Sequence, residues 1–271
     1  MSAQLQQTSK SVDGECAGGF DRSAFERLAR LEENSFWFKS RNKLIVWAMR
    51  KFSPGITNFL EVGCGNGIVL QSVAQSFPQL QLSGSDLFEE ALPCARQRLP
   101  QATLFQLDLL EFDQVQQFDA IGCFDVLEHV APDELALKRM TAALTEHGHL
   151  IISVPQYQFL WSRSDEAAHH VRRYSFSELK RKCENAGLQL VYSTSFVSLL
   201  FPFLVASRVL QKYSRASSEY DVFKELNMPW VLNGVFECIQ TVERMLMRLG
   251  ITFPFGGSLL IVAQKNKNSC S

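Results

Sequence analysis

The stretch Asn58-Phe59-Leu60-Glu61-Val62-Gly63-Cys64-Gly65-Asn66-Gly67 decides the fold. Phe59 to Val62 reads as a short strand, apolar except for Glu61, and glycines follow at alternate positions, Gly63, Gly65 and Gly67. The residues from Ile68 onward read as a helix. Glycine has no Cβ, so the chain can turn tightly and a ligand can approach the main chain, while the helix start offers free N–H groups. Strand, glycine turn and helix together form a unit that brings backbone to a bound molecule.

The glycine spacing is G-x-G-x-G with an acid two residues before the first glycine. A dinucleotide fingerprint has G-x-G-x-x-G, and its pyrophosphate would be poorly served by a carboxylate at the loop. The amino group of a methionine moiety beside a sulfonium would be well served.

Downstream, strands and helices alternate. Val69, Leu70, Val73, Ala74 and Phe77 give the first crossover helix an apolar stripe. Leu80 to Ser85 reads as a strand with Asp86 at its carboxyl end, 21 residues after Gly65, where an α/β nucleotide site places the acid that takes ribose hydroxyls. A helix over Leu87 to Leu99 and a strand over Thr103 to Leu107 lead to Asp108, whose carboxylate could accept from an adenine amine, with Leu87 and Leu109 bracketing the ring. The fourth strand, Phe118 to Phe124, runs into Asp125-Val126-Leu127-Glu128-His129. A helix opened by Pro132, with Leu137, Met140 and Leu144 on one face, precedes a fifth strand over His149 to Val154. This alternation predicts a parallel sheet with helices on both faces. Glu61, Asp86, Asp108 and Asp125 all fall at carboxyl ends, where such sheets bind ligands.

Around this core, Ser23-x-x-Glu26 is a capping box that starts a helix over Ser23 to Glu33, and Phe36 to Phe52 is a second helix, aromatic-rich and either packed on the core or a lid. Residues 1–20 are polar, lack the apolar core of a signal peptide, and are expected to form a disordered tail. Ser175-x-x-Glu178 caps a helix ended by Gly187, Gln189 to Phe196 is a sixth strand, and Ser258 to Gln264 has the composition of a last one. Residues 197–256 intervene as an apolar insertion, with Val235, Cys238, Ile239, Val242, Met245, Leu246 and Leu249 at helical spacing. It reads as a cap over an acceptor pocket or as added core. Phe196 to Tyr213, with Arg208 and Lys212 at its end, also resembles an interfacial helix that contacts a membrane surface.

Hydrophobic residues make up 46% and charged residues 20%, a globular balance, and the formal net charge of −1 leaves no cationic surplus for a nucleic acid backbone. The seven cysteines are never spaced C-x-x-C and suit buried thiols in a reducing cytosol, so the expected location is cytoplasmic or at the inner face of the membrane. Phe196 to Ala206 falls well short of the ~20 apolar residues that cross a bilayer.

The stretch Phe36 to Gln264 resembles a class I S-adenosylmethionine-dependent methyltransferase. E-V-G-C-G-N-G is similar to that family's first motif, and S-D-L-F-E-E-A-L, L-D-L-L-E-F and F-D-A-I-G-C-F-D-V-L-E-H-V to its second, third and fourth. The segments F-W-F-K-S-R-N-K-L-I and H-V-R-R-Y-S-F-S-E-L further resemble a bacterial subgroup, loosely similar to ubiquinone-pathway O-methyltransferases and to enzymes of cell-surface lipid or glycan synthesis. The resemblance implies a Rossmann-like seven-stranded sheet whose core spans residues 56–196 and 257–265, with strand seven antiparallel between strands five and six. It implies S-adenosylmethionine as cofactor. Glu61, Gly63, Cys64, Gly65, Asn66 and Gly67 would hold the methionine part, Asp86 the ribose and Asp108 the adenine amine. Cys123, Phe124 and Asp125 would pass beside the sulfonium, and Arg41 would pair with the cofactor carboxylate.

An alcohol or phenol acceptor must lose a proton, and His129 and His170 are the candidate bases; either could instead be structural. Glu128 with His129 supplies too few neighbouring ligands for a metal, so none is expected. Arg172 and Arg173 either receive an anionic acceptor or are surface charges. The apolar insertion points to a small amphipathic or lipid-linked acceptor methylated on oxygen. Rival readings are a nicotinamide-dependent oxidoreductase and a binding protein that has kept the fold without turnover.

Overall fold

The computed structural model describes residues 32, 34–213 and 228–266. The expected tail over 1–20, nearly all of the helix expected over Ser23 to Glu33, and the segment linking the two insertion helices lie outside the described residues.

Helix α1 (Phe36–Phe52) precedes β1 (Asn58–Val62), α2 (Ile68–Ser76), β2 (Gln81–Asp86), α3 (Leu92–Arg98), β3 (Thr103–Gln106) and β4 (Phe118–Phe124). Then come α4 (Asp133–Ala143), β5 (Leu144–Pro155), α5 (Arg163–Ala167), α6 (Phe176–Asn185), β6 (Leu188–Phe196), α7 (Phe201–Tyr213), α8 (Trp230–Arg248) and β7 (Ser258–Lys265). Seven strands form one sheet in the order β3-β2-β1-β4-β5-β7-β6. Strands β1 to β5 are parallel, and β7 runs antiparallel between β5 and β6, pairing Ile152 with Ile261 on one side and Thr194 with Leu260 on the other.

The parallel strands are buried on both faces, which is why β1, β4 and β5 read as nearly continuous apolar runs. One face packs Leu60, Ile121, Ile152 and Leu259 against α4 and α6. The other packs Phe59, Ala120, Ile151 and Leu260 against α1 and α2, with Met247 of α8 joining them. The first strand lies between β2 and β4, so the glycine loop after it opens at the centre of the carboxyl edge, where the order of the strands reverses.

Gly63 shows why the loop needs glycine. Its φ is +70°, and a Cβ there would lie 2.3 Å from Val126 Cγ2. The fourth strand's exit therefore rests directly on the first strand's turn.

Several expected elements shift. Leu144 belongs to β5 and not to the helix before it, because the chain enters the sheet there, opposite Phe118 and across an irregular register. His147 and His149 lie within that longer strand. Residues 89–91 form a separate 3₁₀ turn before α3. The largest difference is α8. Of the expected stripe, Val235, Cys238, Val242, Met245 and Leu249 are exposed, Leu246 is half-buried and Ile239 packs against the core with Phe236, while Gln240, Glu243, Arg244 and Met247 are buried. The inward polar groups are bonded: Glu243 accepts the N–H groups of Ser198 and Leu199 at 2.7 and 2.8 Å, and Arg244 donates to Ser40 of α1.

Substituting Gly63→Ala is expected to destabilise the protein by about 2–4 kcal/mol from the clash and the left-handed backbone together. Adding Val126→Ala should recover the clash share and leave roughly 1–2 kcal/mol of backbone cost. Chemical denaturation of the single and double variants checks this, and full recovery in the double variant would contradict it.

Candidate active site

The glycine loop is fixed by the strand beside it. Cys64 donates its N–H to Ser85 O at 2.8 Å, Gly65 donates to Asp86 Oδ2 at 2.8 Å, and Gly67 donates to Cys64 O at 2.8 Å. Asp86 also accepts the Phe88 N–H at 3.0 Å. A carboxylate has about four acceptor sites, so the main-chain donors to Asp86 leave capacity for a hydroxyl of a ligand. Burial raises the Asp86 pKa, and the N–H groups of Phe88, Gly65 and Leu87 offset part of that.

Glu61 is nearly completely buried, and its Oε2 has no hydrogen-bond partner. Desolvation pushes its pKa well up; Arg41 opposes this and Asp86 adds to it. Such a carboxylate is costly to bury alone, and a cationic ligand would repay that cost. Cys64 and Cys123 are buried among these acids, which holds both thiols above their ordinary range and protonated. Asn66 donates to Glu32 at 3.3 Å. On the far side Asp108 caps a 3₁₀ turn by accepting from Leu110 at 2.8 Å, so one oxygen is engaged there; Leu109 is buried and Leu87 exposed.

Asp125, at the end of β4 and next to buried Phe124, has φ +55°. Its carboxylate pairs with Arg41 of α1 and accepts from Ser153 Oγ at 3.3 Å. Arg41 is held against Trp37 and Phe38, with its charge centre 4.8 and 5.2 Å from their ring centroids. The guanidinium is thus engaged by Asp125 at the position where the sequence expects it to meet the cofactor carboxylate. Its Nε has no partner.

The segment His170 to Tyr174 closes over the end of β4. Val171 donates its N–H to Glu128 O at 2.8 Å, and Tyr174 places its hydroxyl 2.6 Å from Asp133. Arg172 also pairs with Asp133, at 2.7 Å, as does Lys182 at 2.6 Å. Arg173 binds both oxygens of Asp165, at 2.8 and 3.0 Å. These pairs leave neither arginine as a bare receptor for an anionic acceptor, which corrects that reading.

His170 is fixed by the same acid. Its Nδ1 lies 2.9 Å from Asp165 Oδ1, and its Nε2 lies 4.0 Å from Glu128 Oε1. Burial would raise the Asp165 pKa, but the bonds from His170 and Arg173 hold it far below the usual carboxylate range. Asp165 thus orients the ring through Nδ1 and leaves Nε2 toward Glu128. Glu128 has no solvent exposure and neither carboxylate oxygen has a hydrogen-bond partner; desolvation and Asp125 push its pKa well up. The His129 ring meets His170 edge-on at 4.7 Å, and partial burial with His170 alongside lowers its pKa. One ligating atom from each of Glu128, His129 and His170 lies within 4.8 Å of the others, close enough to share an ion or a proton. The sequence reading missed this gathering, and it missed Asp165. The signal for Asp165 was present: Ser162-x-x-Asp165 is a capping box, and both of its bonds form.

Beyond the end of β5 the Gln156 amide is buried with neither polar atom partnered. The aromatic rings of Tyr157, Phe159, Phe201 and Phe255 follow, with neighbouring centroids 5.3 to 6.3 Å apart. Phe159 and Phe255 are exposed.

This fold and this edge define a Rossmann-like protein with a site for a nucleoside that carries a cationic, amine-bearing group. Comparison with known proteins names the family. A family model described as a methyltransferase domain matches residues 20–193, and the chain belongs to the class I S-adenosylmethionine-dependent methyltransferases. It is 31% identical over 151 residues to a ubiquinone biosynthesis O-methyltransferase of Azoarcus sp. (strain BH72), covering 49% of this chain and 64% of that one. It is 32% identical over 108 residues to a dTDP-3-amino-3,6-dideoxy-alpha-D-glucopyranose N,N-dimethyltransferase of Streptomyces fradiae, covering 38% and 42%. The matches therefore span less than two thirds of either relative. Among solved structures, phosphoethanolamine N-methyltransferase 2 of Haemonchus contortus in complex with S-adenosyl-L-methionine superposes with a TM-score of 0.59 at 16% identity, over 91% of this chain and 58% of that one, a likeness of fold.

The residues present fit the family's cofactor. The unpartnered Glu61 oxygen suits the amine, and Asp86 keeps acceptor capacity for the ribose. Replacing Glu61 with Gln should weaken S-adenosylmethionine binding by about 10- to 100-fold through loss of a charge-assisted bond. The same change should raise the thermal midpoint of the ligand-free protein at neutral pH. The sign follows from the raised pKa: a carboxyl that folding makes harder to ionise opposes folding above its unfolded pKa, and Gln removes that penalty. Calorimetric titration and thermal melts check both halves; unchanged affinity would show that Glu61 does not meet the amine.

Proposed function

We propose that the protein transfers the methyl group of S-adenosylmethionine to an oxygen of a small amphipathic or lipid-linked acceptor. The observation that carries the donor half is the buried, unpartnered Glu61 carboxylate beside a glycine loop bonded to Asp86. The acceptor half rests on the exposed aromatic group after β5 and on His170, whose orientation Asp165 sets.

The sulfonium supplies a methyl group already activated for in-line displacement. The chain's own groups align and deprotonate. Glu61 and the glycine loop hold the methionine part and Asp86 the ribose, so that the methyl can face the acceptor across Phe124 and Asp125. His170 Nε2 would take the hydroxyl proton as the acceptor oxygen becomes nucleophilic, and bound S-adenosylmethionine would supply the methyl group and keep the electron pair of the bond it gives up. Asp165 stabilises the imidazolium that results. His129, lowered in pKa and without a carboxylate of its own, is the weaker candidate for the base and serves better as packing for His170. Tyr157, Phe159, Phe201 and Phe255 offer ring faces to an apolar body.

Family membership speaks against the nicotinamide reading. The relatives' names give both oxygen and nitrogen acceptors. The aromatic wall and the positioned base favour oxygen here, because an uncharged amine needs no base to become nucleophilic.

His170→Gln should lower kcat by about 10²- to 10⁴-fold with the affinity for S-adenosylmethionine unchanged, and Asp165→Asn should lower kcat in the same direction by less. Equal loss of donor binding in either variant would return these residues to a structural role. The substrate half is tested by incubating lysate and membrane fractions with methyl-labelled donor. Label is expected in organic-extractable products, in a base-resistant ether or a base-labile ester. Label confined to protein or to water-soluble amines would sink the acceptor reading, and binding of donor without any turnover would favour a non-catalytic protein.

A further inference from the structure

Gln156 follows β5 directly, with its main chain satisfied and its side chain not. Its N–H donates to Gly257 O at 3.0 Å, and its carbonyl accepts from Arg173 Nη1 at 3.3 Å. The residue is only 1% exposed, yet neither the oxygen nor the nitrogen of its amide meets a partner in the chain. Buried amides are almost always bonded, and each orphaned atom carries a desolvation cost, so this one points to a partner outside the fold.

Its surroundings place it beside the groups that close over β4. Side chains alternate along a strand, so Gln156 shares a face with Ile152 and Val154, the face that also packs Leu127 and Tyr174. A bridge pairs Gln156 with Tyr174, and three residues earlier Val171 donates to Glu128 O at 2.8 Å. The segment from Val171 to Tyr174 therefore runs from the turn after β4 to the end of β5. Within it Arg173 binds Asp165, which fixes His170 Nδ1 at 2.9 Å, and also holds the Gln156 carbonyl. One ion pair, Asp165 with Arg173, thus positions both the base and the backbone of Gln156. The next residue, Tyr157, has φ +62° and turns the chain into the aromatic group.

The chemistry of an amide restricts what can complete it. Nε2 only donates and Oε1 only accepts. A carboxylate or phosphate would answer Nε2 and leave Oε1 orphaned, and Arg172 and Arg173, engaged by Asp133 and Asp165, offer it no free cation. An ammonium would answer Oε1 alone. An uncharged head that offers a lone pair and an O–H together answers both.

We propose that Gln156 is the specificity-determining contact for the methyl acceptor, and that it selects an uncharged, hydroxylated head over an acid. Resting on the oxygen-methyltransferase reading, this makes the product a methyl ether and not a methyl ester. Wild-type protein and Gln156→Met, an uncharged side chain of similar length, are compared with methyl-labelled donor over a dilution series of the organic extract of lysate and membranes. Base-resistant label is expected in an uncharged product. Gln156→Met should raise the half-saturating extract concentration by about 10- to 100-fold with the saturated rate near wild type. Affinity for S-adenosylmethionine should be unchanged. The thermal midpoint of the ligand-free variant should hold or rise, because apolar atoms replace two unbonded polar ones. A lower midpoint would give the amide a structural role, and base-labile label or an unchanged half-saturating concentration would remove it from acceptor recognition; each overturns this inference alone. Donor binding without label in any product would overturn the methyltransferase reading and this inference with it.

Discussion

Negative charge collected at one edge of the sheet is the constraint on which the site depends. Glu61, Asp86, Asp125 and Glu128 stand at or just beyond the carboxyl ends of β1, β2 and β4, and the parallel strand order makes them neighbours. Asp86 raises the cost of ionising Glu61, and Asp125 that of ionising Glu128. Main-chain N–H groups relieve Asp86, and Arg41 forms an ion pair with Asp125. Glu61 and Glu128 keep unpartnered oxygens. A stable fold tolerates this because most of its core lies away from the edge, in the two apolar layers of the sheet.

That distribution also explains what the sequence disclosed. The glycine loop and the strand-end acids were legible because they obey local rules, a turn that needs positive φ and an acid placed at or next to the end of an apolar run. The position of β7 was legible only through the family resemblance. Nothing local in Ser258 to Lys265 says that it enters the sheet between β5 and β6. The expected antiparallel placement is nonetheless what forms.

Contacts made across long stretches of chain were not legible. Asp165 reaches His170 within a short span, but their shared relation to Glu128 exists only once β4 and the segment after β5 are folded together. Asp133 collects Arg172, Tyr174 and Lys182, so a motif that reads as a basic patch is internally neutralised. In α8 the apolar period marked a stripe, but most of it faces outward and only Ile239 of it joins Phe236 and Met247 against the core. Periodicity locates a face; the hydrogen bonds of Glu243 and Arg244 decide which face turns inward.

Helix α1 has two occupations. Its Arg41 reaches the strand-end acids, while Lys43 and the Asn233 contact tie its other side to α8. A rigid element shared in this way obeys thermodynamic reciprocity. Whatever factor an event at the outer side imposes on affinity at the inner side, ligand at the inner side returns to the outer one. The guanidinium of Arg41 is thus the counter-ion that ties α1, and through α1 the packing of α8, to the strand-end acids.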